Sequence, residues 1–68
     1  MEKIVARRDP LTFLVQTGAN EARVLDVRQG VYFAPFNLQS ILARGYWQEY
    51  AGSPEELADA KAKCRDEA

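Results

Sequence analysis

The sequence predicts an α+β domain: a small antiparallel β-meander in the N-terminal half, packed by two C-terminal helices. Three observations carry this reading. The first half holds short runs of strand-forming residues separated by turn signals. The second half holds two helix-start signals. The 68 residues, 47% hydrophobic and 28% charged, suit one small folded domain spanning 1–68 rather than a disordered chain.

The strands are read in order. Lys3 to Arg8 forms an edge strand before the turn at Asp9-Pro10. Thr12-Phe13-Leu14-Val15-Gln16-Thr17 is rich in β-branched and aromatic residues, and Gly18-Ala19-Asn20 turns the chain. From Ala22 to Arg28, Leu25 and Val27 alternate with Asp26 and Arg28, the period of a half-buried strand. Gln29-Gly30 then leads into Val31-Tyr32-Phe33, stopped by Pro35. A helical alternative stands beside this one. Asp9-Pro10 also suits a helix start ended by Gly18, and Asn20 a second helix ended by Gly30, with Val24, Val27 and Val31 on one face. Segments this short do not separate the two periods, so an all-α helical bundle is the alternative fold.

The C-terminal half is more explicit. Ser53-Pro54-Glu55-Glu56 places a serine at the N-cap, proline at the first helical position and glutamate at the third, the pattern of a capping box. Leu57, Ala60 and Cys64 recur at helical spacing, and Asp59 precedes Lys63 by one turn, which predicts a helix over 54–66. Upstream, Asn37 is an N-cap residue, and Phe36 and Ile41 occupy the positions of a hydrophobic staple. Leu38, Ile41 and Leu42 form that helix's apolar stripe, and Gly45 offers a left-handed end.

Small domains bury only about 60% of the surface that their unfolded chains expose, so they need unusually good packing, crosslinks, metal or a partner. A single cysteine, Cys64, allows no internal disulfide, and the chain has no histidine to help build a zinc site. Packing and association remain, and a homodimer is one way to supply the second. No apolar leader follows Met1-Glu2-Lys3, and the run from Val31 to Phe36 is far short of the roughly 20 residues of a membrane span. The expected location is cytoplasmic, with no membrane contact.

Candidate chemistry is sparse. Histidine is the commonest general acid–base, and there is none. Ser40 and Ser53 have no base to activate them. Cys64, placed late in a helix, sits where the dipole raises a thiol pKa. Glu55 and Asp59 lie one turn apart but lack further ligands, and no glycine-rich phosphate loop occurs. No catalytic residue, metal ligand, cofactor or small-molecule substrate is therefore expected.

Binding has better candidates. In Tyr46-Trp47-Gln48-Glu49-Tyr50, consecutive rings on a helix or turn cannot all face one core, so at least one of Tyr46, Trp47 and Tyr50 is expected at the surface, where such residues anchor interfaces. Arg7 and Arg8 are a second candidate; on a strand they face opposite sides. The dense run Val31 to Phe36 reads as core beneath the helices, or, if it is an exposed edge, as a surface for strand addition or dimer pairing. These features predict a non-catalytic regulator or inhibitor that binds another protein through an aromatic surface, of a kind common among small bacterial and phage accessory proteins. A nucleic-acid-binding regulator using Lys3, Arg7, Arg8, Arg23 and Arg28 on phosphates is the first alternative, weakened by a net charge of −1. A structural subunit of a larger assembly is the second.

Overall fold

Strand-forming runs in the first half and capped helices in the second do assemble into one sheet with helices. The computed structural model describes residues 1–67 and has the order β1 (Lys3–Asp9), β2 (Thr12–Gly18), β3 (Glu21–Asp26), β4 (Val31–Tyr32), β5 (Phe36–Asn37), α1 (Leu38–Leu42), β6 (Gln48–Glu49), α2 (Pro54–Ala62) and β7 (Arg65–Asp66). The protein is α+β, and the helical-bundle alternative is excluded. The sheet is mixed, with strand order β6-β1-β2-β3-β4-β7 and β5 paired to the other half of β3. All pairs are antiparallel except β4 with β7.

Side-chain alternation on the central strands divides the interior into two cores, one on each face. One face gathers Ile4, Phe13, Val15, Leu25 and Tyr32 beneath Leu57 and Ala60 of α2. The other gathers Ala6, Leu14 and Ala22 beneath Ile41 of α1, with Val5, Val24, Leu38 and Trp47 at its margin. Leu14, Val15 and Leu25 are fully buried because β2 and β3 are covered on both faces.

In β1 the alternation is interrupted. Ile4 pairs with Val15 and Ala6 with Leu14, so Val5 is an extra residue bulged from the ladder; a second register shift falls between Arg7 and Asp9. Ile4 and Ala6, two residues apart, therefore lie on opposite faces, with Val5 and Ala6 together on the α1 side.

Both helix starts follow the sequence reading. Ser53 Oγ accepts the Glu56 N–H at 3.1 Å, and Asn37 Oδ1 accepts the Ser40 N–H at 2.9 Å. Two expectations need correction. The last helix stops at Ala62 instead of continuing to 66, because Arg65 N–H donates to Gly30 O and Glu67 N–H to Tyr32 O, pulling the chain into β7. Cys64 thus lies between helix and strand, packed against the α2-side core, with its thiol 3.6 Å from Asp26 O. Tyr46 to Tyr50 lies on no helix: its centre, Gln48–Glu49, is strand β6, bonded to β1 opposite Ala6 and Arg7.

Candidate functional site

The aromatic and arginine residues singled out from sequence are sorted onto the two faces by β1 and β6. Tyr50 N–H donates to Val5 O at 3.1 Å, extending the β6 pairing, and its ring lies on the α2 side, 6.3 Å from that of Phe13. The Arg7 guanidinium stacks 4.1 Å from the Tyr50 ring centre. Tyr50 OH donates to the Glu56 carboxylate at 2.7 Å, and this bond, helped by desolvation, raises the phenol pKa. Tyr50 and Arg7 are thus committed to joining β1, β6 and α2.

Trp47 and Arg8 lie on the other side. The bulge at Val5 sets this division: past it Arg7 points to the α2 face and Arg8 to the α1 face, where its guanidinium sits 5.4 Å from the Trp47 ring centre. Trp47 covers the edge of the second core. Gly45, at φ 78°, supplies the left-handed turn by which the chain leaves α1 and reaches Tyr46.

Between α1, β3 and this turn lies an open cleft of about 320 Å³. Its apolar wall is made by Phe33, Phe36, Ile41, Tyr46 and Trp47, and Arg8 and Arg44 also line it. Tyr46 is 62% exposed and Phe36 47%, high values for large apolar rings. Tyr46 makes no side-chain hydrogen bond, and Arg44 no ion pair, among the described residues. The one carboxylate lining the cleft, Asp26, is buried and occupied: it accepts Gln29 N–H at 3.0 Å and Gln29 Nε2 at 2.9 Å, closing the turn that ends in Gly30. The volume is at the small end of the range for ligand sites, roughly 300–1,000 Å³, enough for one large side chain.

Of the sequence candidates, Tyr46, Trp47 and Arg8 meet at this cleft, and Tyr50 and Arg7 do not. The run Val31 to Phe36 divides as well. Val31 and Tyr32 are core, whereas Phe36, expected to be core and a helix staple, is half exposed and lines the cleft. Sequence reasoning passes over Arg44 and reads Phe33 and Phe36 first as core. A signal for them exists: from Val27 to Gln48 the chain contains no Asp or Glu, although it has ten such residues in all. That acid-free stretch supplies most of the cleft lining.

The α2 face holds a second polar cluster of a different kind. Arg23 is buried, donates to Phe33 O at 2.7 Å and Tyr32 O at 3.1 Å, pairs with Asp66, and stacks 3.7 Å from the Tyr32 ring centre. Tyr32 OH donates to Glu2 at 2.8 Å, and Glu2 pairs with Lys61. Burial, then the bond to Glu2, pushes the Tyr32 phenol far up; the Lys61 contact, opposed in part by burial, holds Glu2 below its ordinary value. Every polar end here has a partner within the chain, which marks structural cross-bracing of α2, β4 and β7. Among the described residues no group of three or more Cys, Asp or Glu side chains is placed to hold a metal ion, and no helix is long and apolar enough to cross a membrane. No protein-family model matches the chain, and comparison with curated proteins and with solved structures finds no match.

Proposed function

We propose that this protein is a non-catalytic binding module, a small regulator or inhibitor that engages another protein through the cleft on the α1 face. The observation that carries the reading is the exposure of Tyr46 and Phe36 beside Trp47 around a preformed hollow. Leu42, 44% exposed, lines a neighbouring hollow that shares Trp47 with the cleft. Elsewhere in the molecule, Tyr50 and Tyr32 hold their hydroxyls on carboxylates and their rings against the core. Contiguous exposed aromatics are a common mark of interaction surfaces, and Trp and Tyr are the usual anchors of such contacts.

The test is affinity capture from a native lysate with the wild-type chain, Phe36→Ala, Tyr46→Ala, Trp47→Ala and, as a control on the opposite face, Tyr50→Phe. Circular dichroism first establishes that each variant is folded. A partner retained by Tyr50→Phe and lost from the cleft variants is the expected result. Full retention by all folded variants would remove the cleft from the account.

A further inference from the structure

We propose that the segment held in the cleft is acidic: an extended stretch of another protein that inserts one aromatic or large aliphatic side chain and places flanking carboxylates on Arg8 and Arg44. This inference rests on the reading of the cleft as a protein-binding site and adds the chemistry of its occupant.

Charge segregation supports it. The chain as a whole is slightly acidic, at −1, yet the residues from Val27 to Gln48 include no acid. The cleft wall therefore carries Arg8 and Arg44 against a single carboxylate, Asp26, which is buried and bonded to Gln29. Neither Arg44 nor Arg8 has an ionic partner among the described residues, and the Arg8 guanidinium sits over the face of Trp47. Guanidinium groups held at an apolar hollow match carboxylates with directed hydrogen bonds, and a charge-assisted bond of this sort is stronger than a neutral one.

The same distribution argues against the other occupants. A twofold dimer through this face would bring together two copies of a cleft that carries Arg8 and Arg44 and whose one carboxylate, Asp26, is already bonded. The exposed carboxylate of Glu49 lines a separate hollow that also borders Trp47. A single-stranded nucleic acid needs a basic track along several phosphates, and the cleft offers two cations in a chain of net negative charge. An opening of about 320 Å³ fits one side chain with its neighbours, the scale of a short peptide motif.

Trp47 is the only tryptophan in the chain and lines the cleft, so its emission reports occupancy directly. The probes are three acetylated, amidated pentapeptides lacking Trp and Tyr: Glu-Asp-Phe-Asp-Glu, the uncharged Gln-Asn-Phe-Asn-Gln, and the basic Lys-Arg-Phe-Arg-Lys, each titrated to millimolar concentration at low ionic strength. The acidic peptide is expected to give a saturable change in emission, the uncharged one to bind at least about ten-fold more weakly, and the basic one not to bind. Arg44→Gln, which leaves Arg8 in place, should reduce the preference for the acidic peptide, and Arg44→Glu, at an exposed position, should abolish it.

Equal binding of the acidic and uncharged peptides, or no response to any peptide, overturns the proposal. So does tighter binding of a short oligothymidylate, or a dimer in light scattering that Leu42→Asp dissolves. If a captured partner depends on Tyr46 and Trp47 while charge has no effect, the protein-binding reading stands and the acidic occupant falls.

Discussion

The two faces of the sheet use the same residue types to opposite ends. On the α2 face, Tyr32 and Tyr50 each carry an arginine against the ring and a carboxylate on the hydroxyl, so ring and polar tip are both engaged. On the α1 face, Arg8 leans on Trp47, but Tyr46 and Phe36 stand in the open and Arg44 has no ionic partner among the described residues. The difference teaches that an aromatic's place in the sequence says little about its role. What separates the two faces is whether the aromatic's ring and polar end are already occupied within the chain.

The sharpest break of this contrast comes from the core under α2. Leu57→Ala should cost about 3 kcal/mol, enough to leave so small a domain largely unfolded, whereas Phe36→Ala should leave the urea midpoint almost unchanged. Equal losses would mean that the cleft is part of the core. Next, Arg23→Met keeps the bulk of the side chain but removes the donor to Phe33 O and one of the two donors to Tyr32 O, which keeps the Glu67 N–H. Asp66 is 60% exposed, so its ion pair contributes little. The expected loss of about 1–2 kcal/mol comes mainly from the Phe33 carbonyl left without its donor, read by thermal or urea unfolding.

A pH series sharpens the comparison further. Glu2 is held below its ordinary value, so the stability it contributes is present above the usual glutamate pKa of about 4.3 and is lost as pH falls through its lowered folded-state value. Glu2→Gln should therefore be less stable at neutral pH and lose less on acidification than the wild type. A parallel acid limb in both proteins would show that the Glu2–Tyr32–Lys61 contacts do not couple to folding. The smallest expected effect is on the open face: Tyr46→Ala should change stability by no more than about 0.5 kcal/mol while abolishing partner capture. A large loss of stability would place Tyr46 among the bracing residues.

Local signals were legible in proportion to how local their physics is. Ser53 and Asn37 cap their helices through hydrogen bonds three residues away, and both caps were readable. The antiparallel strands β1 to β3 were readable from composition and turns. The end of α2 was not. Nothing in Lys63-Cys64-Arg65-Asp66 disfavours helix, and the chain leaves it because Gly30 O and Tyr32 O lie far off in sequence, ready to accept Arg65 and Glu67 N–H. Likewise, Trp47 and Tyr50 were expected on a helix or turn. Pairing of Gln48 and Glu49 with β1 sends the two rings to different faces, which depends on a neighbour more than thirty-five residues upstream. The candidate site was half visible: Tyr46, Trp47 and Arg8 stood out by type, whereas Arg44 and Phe36 join them only through the path of α1 and its exit at Gly45.

The bulge in β1 has a consequence for chain length. In a regular strand, deleting one residue inverts every side chain beyond it. Here Val5 is the surplus residue, so its removal would let Ile4, Ala6 and Arg7 pair in unbroken succession with Val15, Leu14 and Phe13, the partners they already have. Val5 is in effect a slack link. A chain shortened there should keep Arg8 over Trp47, whereas the same deletion at Leu14, inside the unbroken ladder from Thr12 to Gln16, should invert the side chains beyond it.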